Sequence, residues 1–258
     1  KIQSTLSIAI TSEGDSNYEK YKSAQSMIDI ALGRGGDQAI VRKNGKYVFF
    51  GGRTQELEKR TKVKARIVSH ALEELMEEAT NVMVMGHANS DIDAMGASFG
   101  IYRLAKTIGK EVYIVNESAG FGLENFLNSA KEDDEYKHSI IGKDEAIQKI
   151  SQETLLVVVD THKTSYVEVP ELLEKTNKIA IIDHHRRSTD FIENAILTFH
   201  EVYASSACEL VTELIEYSEN DINLTQIETE GLYAGIMMDT KNFTFKTGVR
   251  TFEAAAYL

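Results

Sequence analysis

The sequence has one cysteine, one proline and no tryptophan in 258 residues. A lone Cys208 excludes an internal disulfide, a CxxC zinc site and a cysteine-held iron–sulfur cluster, and it accords with a reducing compartment. With so little proline and only 17 glycines, the chain is neither collagen-like nor a low-complexity linker. No apolar run approaches the roughly 18 residues that a spanning helix needs, and Lys1 to Ser12 carries no signal-peptide pattern. Positive charge is scarce too. Against 40 Asp and Glu there are 28 Lys and Arg, a net charge of −12, which disfavours non-specific binding to duplex nucleic acid or anionic lipid. A phosphate-rich substrate would need metal ions to offset that field.

What remains is an ordinary globular composition, 42% hydrophobic and 26% charged, with enough chain for one long α/β domain or two smaller ones. Residues 1–52 form one pattern. A strand is expected over Ser4 to Ile10, then a loop rich in Glu, Gly, Asp and Ser, then a helix with Ala24, Met27, Ile28, Ala31 and Leu32 on one face that Gly33 ends. Gln38 to Lys43, Asn44-Gly45 and Lys46 to Phe50 spell a hairpin with a type I′ turn, closed by Gly51-Gly52. Residues 53–65 are almost wholly polar and read as a linker. From residue 66 onward, a helix bearing Ile67, Val68, Ala71, Leu72, Leu75 and Met76 leads into alternating strands and helices. Strands are expected at Val82 to His87, Val112 to Val115, Thr154 to Asp160 and Lys178 to Asp183, with helices at Ala94 to Gly109, near Ser206 to Ser218 and at Thr225 to Met238. Strands apolar at nearly every position predict a parallel sheet covered on both faces, an α/β fold. Both ends read as cut, because a strand begins at once and Arg250 to Leu258 stops inside an uncapped helical pattern, so a fragment of a longer protein is expected.

Three of the buried strands end in chemistry: VMVMGH ends at His87, LLVVVD at Asp160, and IAIIDHH at Asp183, His184 and His185. Ligands of open α/β sheets bind beyond the carboxyl ends of the strands, so these residues are expected to share a crevice. His87-Ala-Asn-Ser-Asp91-Ile-Asp93 turns from strand to helix with two acids two residues apart, and a later helix ends at Asp239. A single strand-end Asp is more often a helix cap, and a single His is usually satisfied locally. Four segments capped by acids and histidines at one end of one sheet argue instead for a metal site. Four carboxylates (Asp91, Asp93, Asp160, Asp239) and two imidazoles (His87, His184) suit Mn²⁺, and also Mg²⁺, Fe²⁺, Co²⁺ or Zn²⁺. Six residues can serve two metals if one carboxylate bridges, and such a pair is the apparatus of phosphoryl chemistry. Arg186-Arg187, directly after His185, adds donors for phosphate oxygens, with a solvated surface pair as the alternative.

The segments HANSDIDAMGAS, VVVDTHK, IIDHHRRS and GIMMDT resemble the four motifs of the DHH phosphoesterase superfamily, over roughly Lys64 to Leu258. ALGRGGDQAIVRKNGKYVFFGGRT, just before them, is similar to the tail of the degenerate GGDEF domain in GdpP-type cyclic-di-AMP phosphodiesterases. The resemblance implies a C-terminal α+β portion of a GGDEF-like domain at 1–52, a linker at 53–65 and a DHH domain at 66–258, without the DHHA1 lobe that follows in relatives. It implies one Mn²⁺ held by His87, Asp91 and Asp160 and a second by Asp93, Asp160, His184 and Asp239. Asp183 would orient the first histidine of the motif, and His185 would face the scissile phosphate or the leaving group. Tyr203-Ala204-Ser205-Ser206 is similar to the family's phosphate-binding loop at a helix start, so Ser205, Ser206 and Arg186 are the implied substrate contacts; a plain Ser cap is the alternative.

The implied reaction is hydrolysis of cyclic di-AMP to linear pApA by a cytoplasmic domain. The implied longer protein is a homodimer anchored in the cell membrane by segments outside this chain. Gly35-Gly36-Asp37-Gln38 is not a GGDEF signature, because it follows a helix and reads as that helix's C-terminal turn. Other DHH activities are open: an oligoribonuclease, a RecJ-like exonuclease, a family II pyrophosphatase, or a silent nucleotide-binding module. Acidic charge and the lack of an aromatic-basic track argue against RecJ.

Overall fold

The computed structural model describes residues 6–33, 38–43, 46–51, 54–117 and 122–258. The turn at Asn44-Gly45, residues 35–37 of the glycine-rich turn, Gly52 and the first two residues of the expected Ser4 to Ile10 strand lie outside those residues. The chain divides into two compact units, Lys1–Val63 and Lys64–Leu258.

In the first unit, β1 (Ile8–Thr11) runs parallel to β2 (Gln38–Lys43), and β2 pairs antiparallel with β3 (Lys46–Gly51). The Lys43–Lys46 pairing is the register that a two-residue turn imposes. Helix α1 (Asn17–Gly33) connects β1 to β2, and its Met27 and Ala31 are fully buried with Ile40 of β2, with the half-buried Ala9 of β1 packed against them. The polar stretch read as a linker is helical over 54–65, as the first part of α2 (Thr54–Glu78). Its run Gln55-Glu56-Leu57-Glu58-Lys59-Arg60 consists of strong helix formers, whose propensity an apolarity pattern does not register.

The second unit is built on a six-stranded sheet in the order β6-β5-β4-β7-β8-β9, parallel throughout. Its strands are β4 (Val82–Met85), β5 (Val112–Val115), β6 (Ile140–Ile141), β7 (Leu155–Val159), β8 (Lys178–Asp183) and β9 (Leu197–His200). Around it lie α3 (Ile92–Thr107), α4 (Glu124–Glu132), α5 (Lys143–Lys149), α6 (Ala207–Glu216), α7 (Gln226–Asp239), α8 (Val249–Tyr257) and a 3₁₀ turn at Pro170–Glu174. The alternation of side chains splits the central strands between two cores. Val82, Val84, Leu155, Val157, Val159, Ala180 and Ile182 pack with α2, α3, α6 and α7. Met83, Met85, Leu156, Val158, Ile179 and Ile181 pack with Ala146 of α5 and Leu172 and Leu173 of the 3₁₀ turn. Burial on both faces is why these strands read as unbroken apolar runs. Among the described residues, no helix is long and apolar enough to cross a membrane.

The strand order places the site. From β4 the chain builds outward through β5 and β6, then returns beside β4 with β7 and builds the other way through β8 and β9. The order therefore reverses between β4 and β7, and a ligand crevice opens at the carboxyl ends of the two strands that flank such a reversal. Those strands run into His87 and Asp160.

Candidate metal centre

His87 leaves β4 through Gly86. Its ring donates from Nδ1 to the Ala88 carbonyl at 2.9 Å, which fixes the tautomer and turns Nε2 inward. There Nε2 lies 3.5 Å from Asp160 Oδ2 and 3.7 Å from Asp91 Oδ1. Tyr166 stacks on the back of the ring, with centroids 5.2 Å apart and planes 5° from parallel. Asp91 is the N-cap of α3, accepting from the N–H groups of Asp93 (2.9 Å) and Ala94 (3.1 Å). The carboxylate that caps α3 is also a member of a His87–Asp91–Asp160 group that could hold a metal ion.

Asp160 follows β7 in the left-handed region, at φ 59°, a conformation that Asp tolerates better than most residues and one concentrated at functional sites. His184 Nε2 faces three carboxylates: Asp239 at 3.2 Å, Asp160 at 3.3 Å and Asp93 at 3.7 Å. Asp93 is completely buried. Its two oxygens accept from the backbone N–H groups of Ala207 (2.7 Å) and Cys208 (2.9 Å) at the start of α6, so a helix N-terminus supports the carboxylate. α7 approaches closely enough to bring in Asp239 because Gly235 faces Asp93: a Cβ there would lie 2.9 Å from the Asp93 Cα and 2.4 Å from Cys208 Sγ.

His87–Asp91–Asp160 and Asp93–His184–Asp239 form ligand groups that can each hold a metal ion, and Asp160–His184–His185 forms a third that overlaps them. Asp160 touches both histidines, so the groups adjoin. The donors fit hard or borderline cations: among the described residues, Asp160 Oδ1 and both nitrogens of His184 are buried without a hydrogen-bond partner, and a bound cation would satisfy Asp160 Oδ1 and His184 Nε2. Without metal the site is protonated. Burial lowers the pKa of His87, but Asp160, Asp91 and the Ala88 carbonyl outweigh it and raise the ring to about 11. His184 is likewise pushed up to about 11 by Asp160, Asp239 and Asp93 against burial. Burial and the neighbouring Asp160 and Asp239 carboxylates hold Asp93 well above the usual carboxylate range.

The remaining expected residues fall differently. Asp183 does not touch His184. Its Oδ1 accepts from the ring Nδ1 (2.9 Å) and backbone N–H (3.1 Å) of His185, and its Oδ2 accepts from His162. In spite of burial, the bonds from His162 and His185 hold the Asp183 carboxyl well below the usual range. The same bond raises the pKa of His185. Side chains alternate along β8, so Asp183 faces the side of the sheet opposite His184, which is why the expected pairing fails. Ser205 and Ser206 are buried and their hydroxyls are engaged internally. Ser206 Oγ caps α6 by accepting from Glu209 N at 3.0 Å, and Ser205 Oγ donates to Glu209 Oε2 at 2.5 Å. The backbone N–H groups of Ala207 and Cys208 at the start of α6 serve Asp93. Arg186 is exposed, and the Arg187 guanidinium lies over the Phe191 ring at 4.1 Å. Three residues the sequence did not single out lie nearby: Tyr166 against His87, and His162 and His200 beside Asp183.

The profile of the DHH family N-terminal domain matches residues 81–236. The chain belongs to the DHH family. Among similar proteins, the cyclic-di-AMP phosphodiesterase GdpP of Geobacillus thermodenitrificans is 46% identical over 99% of this DHH chain and 39% of its own length. GdpP of Bacillus subtilis is 44% identical over 98% of this chain and 39% of its own length. The chain thus spans about two fifths of these relatives. An exopolyphosphatase-related protein from Bacteroides fragilis shares the DHH-family fold, with a TM-score of 0.61 at 21% identity over 74% of this chain and 55% of its own.

Proposed function

We propose that this chain is the phosphodiesterase part of a longer protein that hydrolyses cyclic di-AMP to linear pApA in second-messenger signalling. The observation that carries this reading is likeness at 44–46% identity to GdpP proteins across both compact units, together with a ligand set in which no expected metal-binding side chain is missing.

Two Mn²⁺ ions are the proposed cofactors, one held by His87, Asp91 and Asp160 and the other by Asp93, His184 and Asp239, with Asp160 shared. Bound there, they would supply positive charge for phosphate oxygens and lower the pKa of water. The chain's own residues do the rest. The α3 N-cap and the α6 N-terminus hold Asp91 and Asp93 before any ligand arrives, so little reorganisation is needed. Asp183 fixes His185 through Nδ1, which leaves Nε2, on the opposite side of the ring, to give a proton to the departing 3′ oxygen. The same bond to Asp183 raises the pKa of the ring. Arg186, exposed beside it, is available to a phosphate oxygen. The first unit is proposed to be the C-terminal part of a GGDEF-like domain. Dimerisation and membrane attachment, implied by the resemblance, belong to the longer protein.

The test is hydrolysis of cyclic di-AMP by the full-length protein with Mn²⁺ and with excess chelator, beside His185→Ala. Metal-dependent turnover that falls about 10²–10⁴-fold in the variant, with two metals still bound, is expected. Turnover unaffected by chelation contradicts the reading.

A further inference from the structure

A second cluster lies on the side of Asp183 away from His184. His162 is 4% exposed and its ring Nδ1 contacts Asp183 Oδ2. Its Nε2 receives the backbone N–H of Ser188 at 3.0 Å. A backbone amide can only donate, so Nε2 is the acceptor, the proton sits on Nδ1, and His162 donates it to Asp183. Both ring nitrogens are thereby used and one tautomer is fixed. The His162 carbonyl accepts from Ile192 N at 2.9 Å, so residues 183–192 hang from His162 at three points, Asp183, Ser188 and Ile192. His200 packs against the ring at 5.1 Å and donates from Nε2 to the His185 carbonyl. Nitrogen and oxygen atoms of His162, Asp183 and His200 are close enough to hold a cation. Each facing nitrogen already has a partner, however, and a metal would have to break those bonds.

We propose that His162 is a positioning residue for the phosphodiester reaction: by holding Asp183 Oδ2 and the Ser188 amide it fixes the His185 ring and the Arg186–Ser188 turn that follows it. The substrate of that reaction rests on the proposed function. Asp183 takes His185 on one oxygen and His162 on the other. Without His162 the carboxylate can rotate about its Cβ–Cγ bond and release the His185 ring, while the ligands of both metals stay in place. His162 touches no reacting atom, so its whole effect passes through Asp183 and His185.

A double-mutant cycle on the full-length, Mn²⁺-loaded protein reads this directly. His162→Leu should lower kcat about 10–100-fold with two metals still bound. In a His185→Ala background the same change should cost less than about twofold, because the interaction it supports is already gone. His162→Asn, whose side-chain N–H can donate to Asp183 from near the Nδ1 position, should recover much of the rate. Equal losses in both backgrounds would overturn the proposal, since a residue needed only for folding acts independently of His185. Should His162→Leu fail to fold, His162→Gln, which can keep the Ser188 contact but not the Asp183 one, is read in the same way. The cycle is run on whichever of cyclic di-AMP and pApA the wild type hydrolyses faster. A wild type active only on pApA would therefore overturn the substrate reading and leave the role of His162 decided by the cycle.

Discussion

The Asp93 carboxylate accepts the backbone N–H of Cys208 at 2.9 Å, 115 residues along the chain. With the Ala207 N–H on its other oxygen, it is at once a proposed metal ligand and the group that satisfies the start of α6. Among the described residues Asp239 has no such second duty: it is partly exposed and its ion-pair partner is His184. Asp93→Ala should therefore destabilise the fold even without metal, by about 1–3 kcal/mol for each buried amide left unpaired. Asp239→Ala should lose metal with little change in the melting temperature of the chelated protein. Thermal unfolding in excess chelator separates the two.

Asp160 combines the left-handed conformation with contact to both histidines. Asn enters that region nearly as readily as Asp, and Ala does so at a cost of roughly 1–2 kcal/mol. Both substitutions should abolish activity and weaken both metal sites. Only Asp160→Ala should also lower the stability of the metal-free protein, as denaturant titration of the two variants would register.

The site was more legible in the sequence than its surroundings. Every expected ligand ended a buried strand or began or closed a helix, so a run of apolar residues pointed straight at His87, Asp160 and His184. Sequence reading fails where partners are distant and the local pattern is ordinary. His162 looks like one more loop residue, although its partners, Asp183 and Ser188, lie 21 and 26 positions further on. β9 was missed because Leu197-Thr198-Phe199-His200 is a four-residue edge strand with one fully buried side chain. The serines of 205–206 left two readings open for a related reason. A Ser that caps a helix and a Ser that offers its hydroxyl to phosphate have the same local sequence, and only the burial of α6 distinguishes them.

Metal binding should be coupled to proton release. In the metal-free protein the His87 and His184 rings are raised to about 11, so both are protonated at pH 7, and metal displaces those protons. Calorimetry in buffers of different ionisation enthalpy should show at least two protons released per chain on filling both sites, with Asp93 able to add to the two from the histidines. Linkage has a definite sign here. Between the unfolded value near 6.5 and the folded value near 11, the folded chain holds more protons than the unfolded one. The chelated protein should therefore lose stability as pH rises through that window.

Gly235 admits α7 to within contact of Asp93 and Cys208. Gly235→Ala places a methyl group against a buried thiol and the backbone beneath a ligand, which should cost about 1–3 kcal/mol. Metal affinity should fall more at the Asp93–His184–Asp239 group than at the His87–Asp91–Asp160 group. Titration with Mn²⁺, followed by its paramagnetic signal, resolves a lost site from a uniform weakening.

The central claim is tested most directly by identifying the products when the full-length protein with Mn²⁺ is given cyclic di-AMP, cyclic di-GMP, pApA and pyrophosphate in parallel. Conversion of cyclic di-AMP to pApA, far faster than turnover of the other three, is the predicted result. Preferential cleavage of pApA to AMP would contradict it and mark an oligonucleotide-trimming DHH enzyme, and no turnover with both metals bound would mark a nucleotide-binding module.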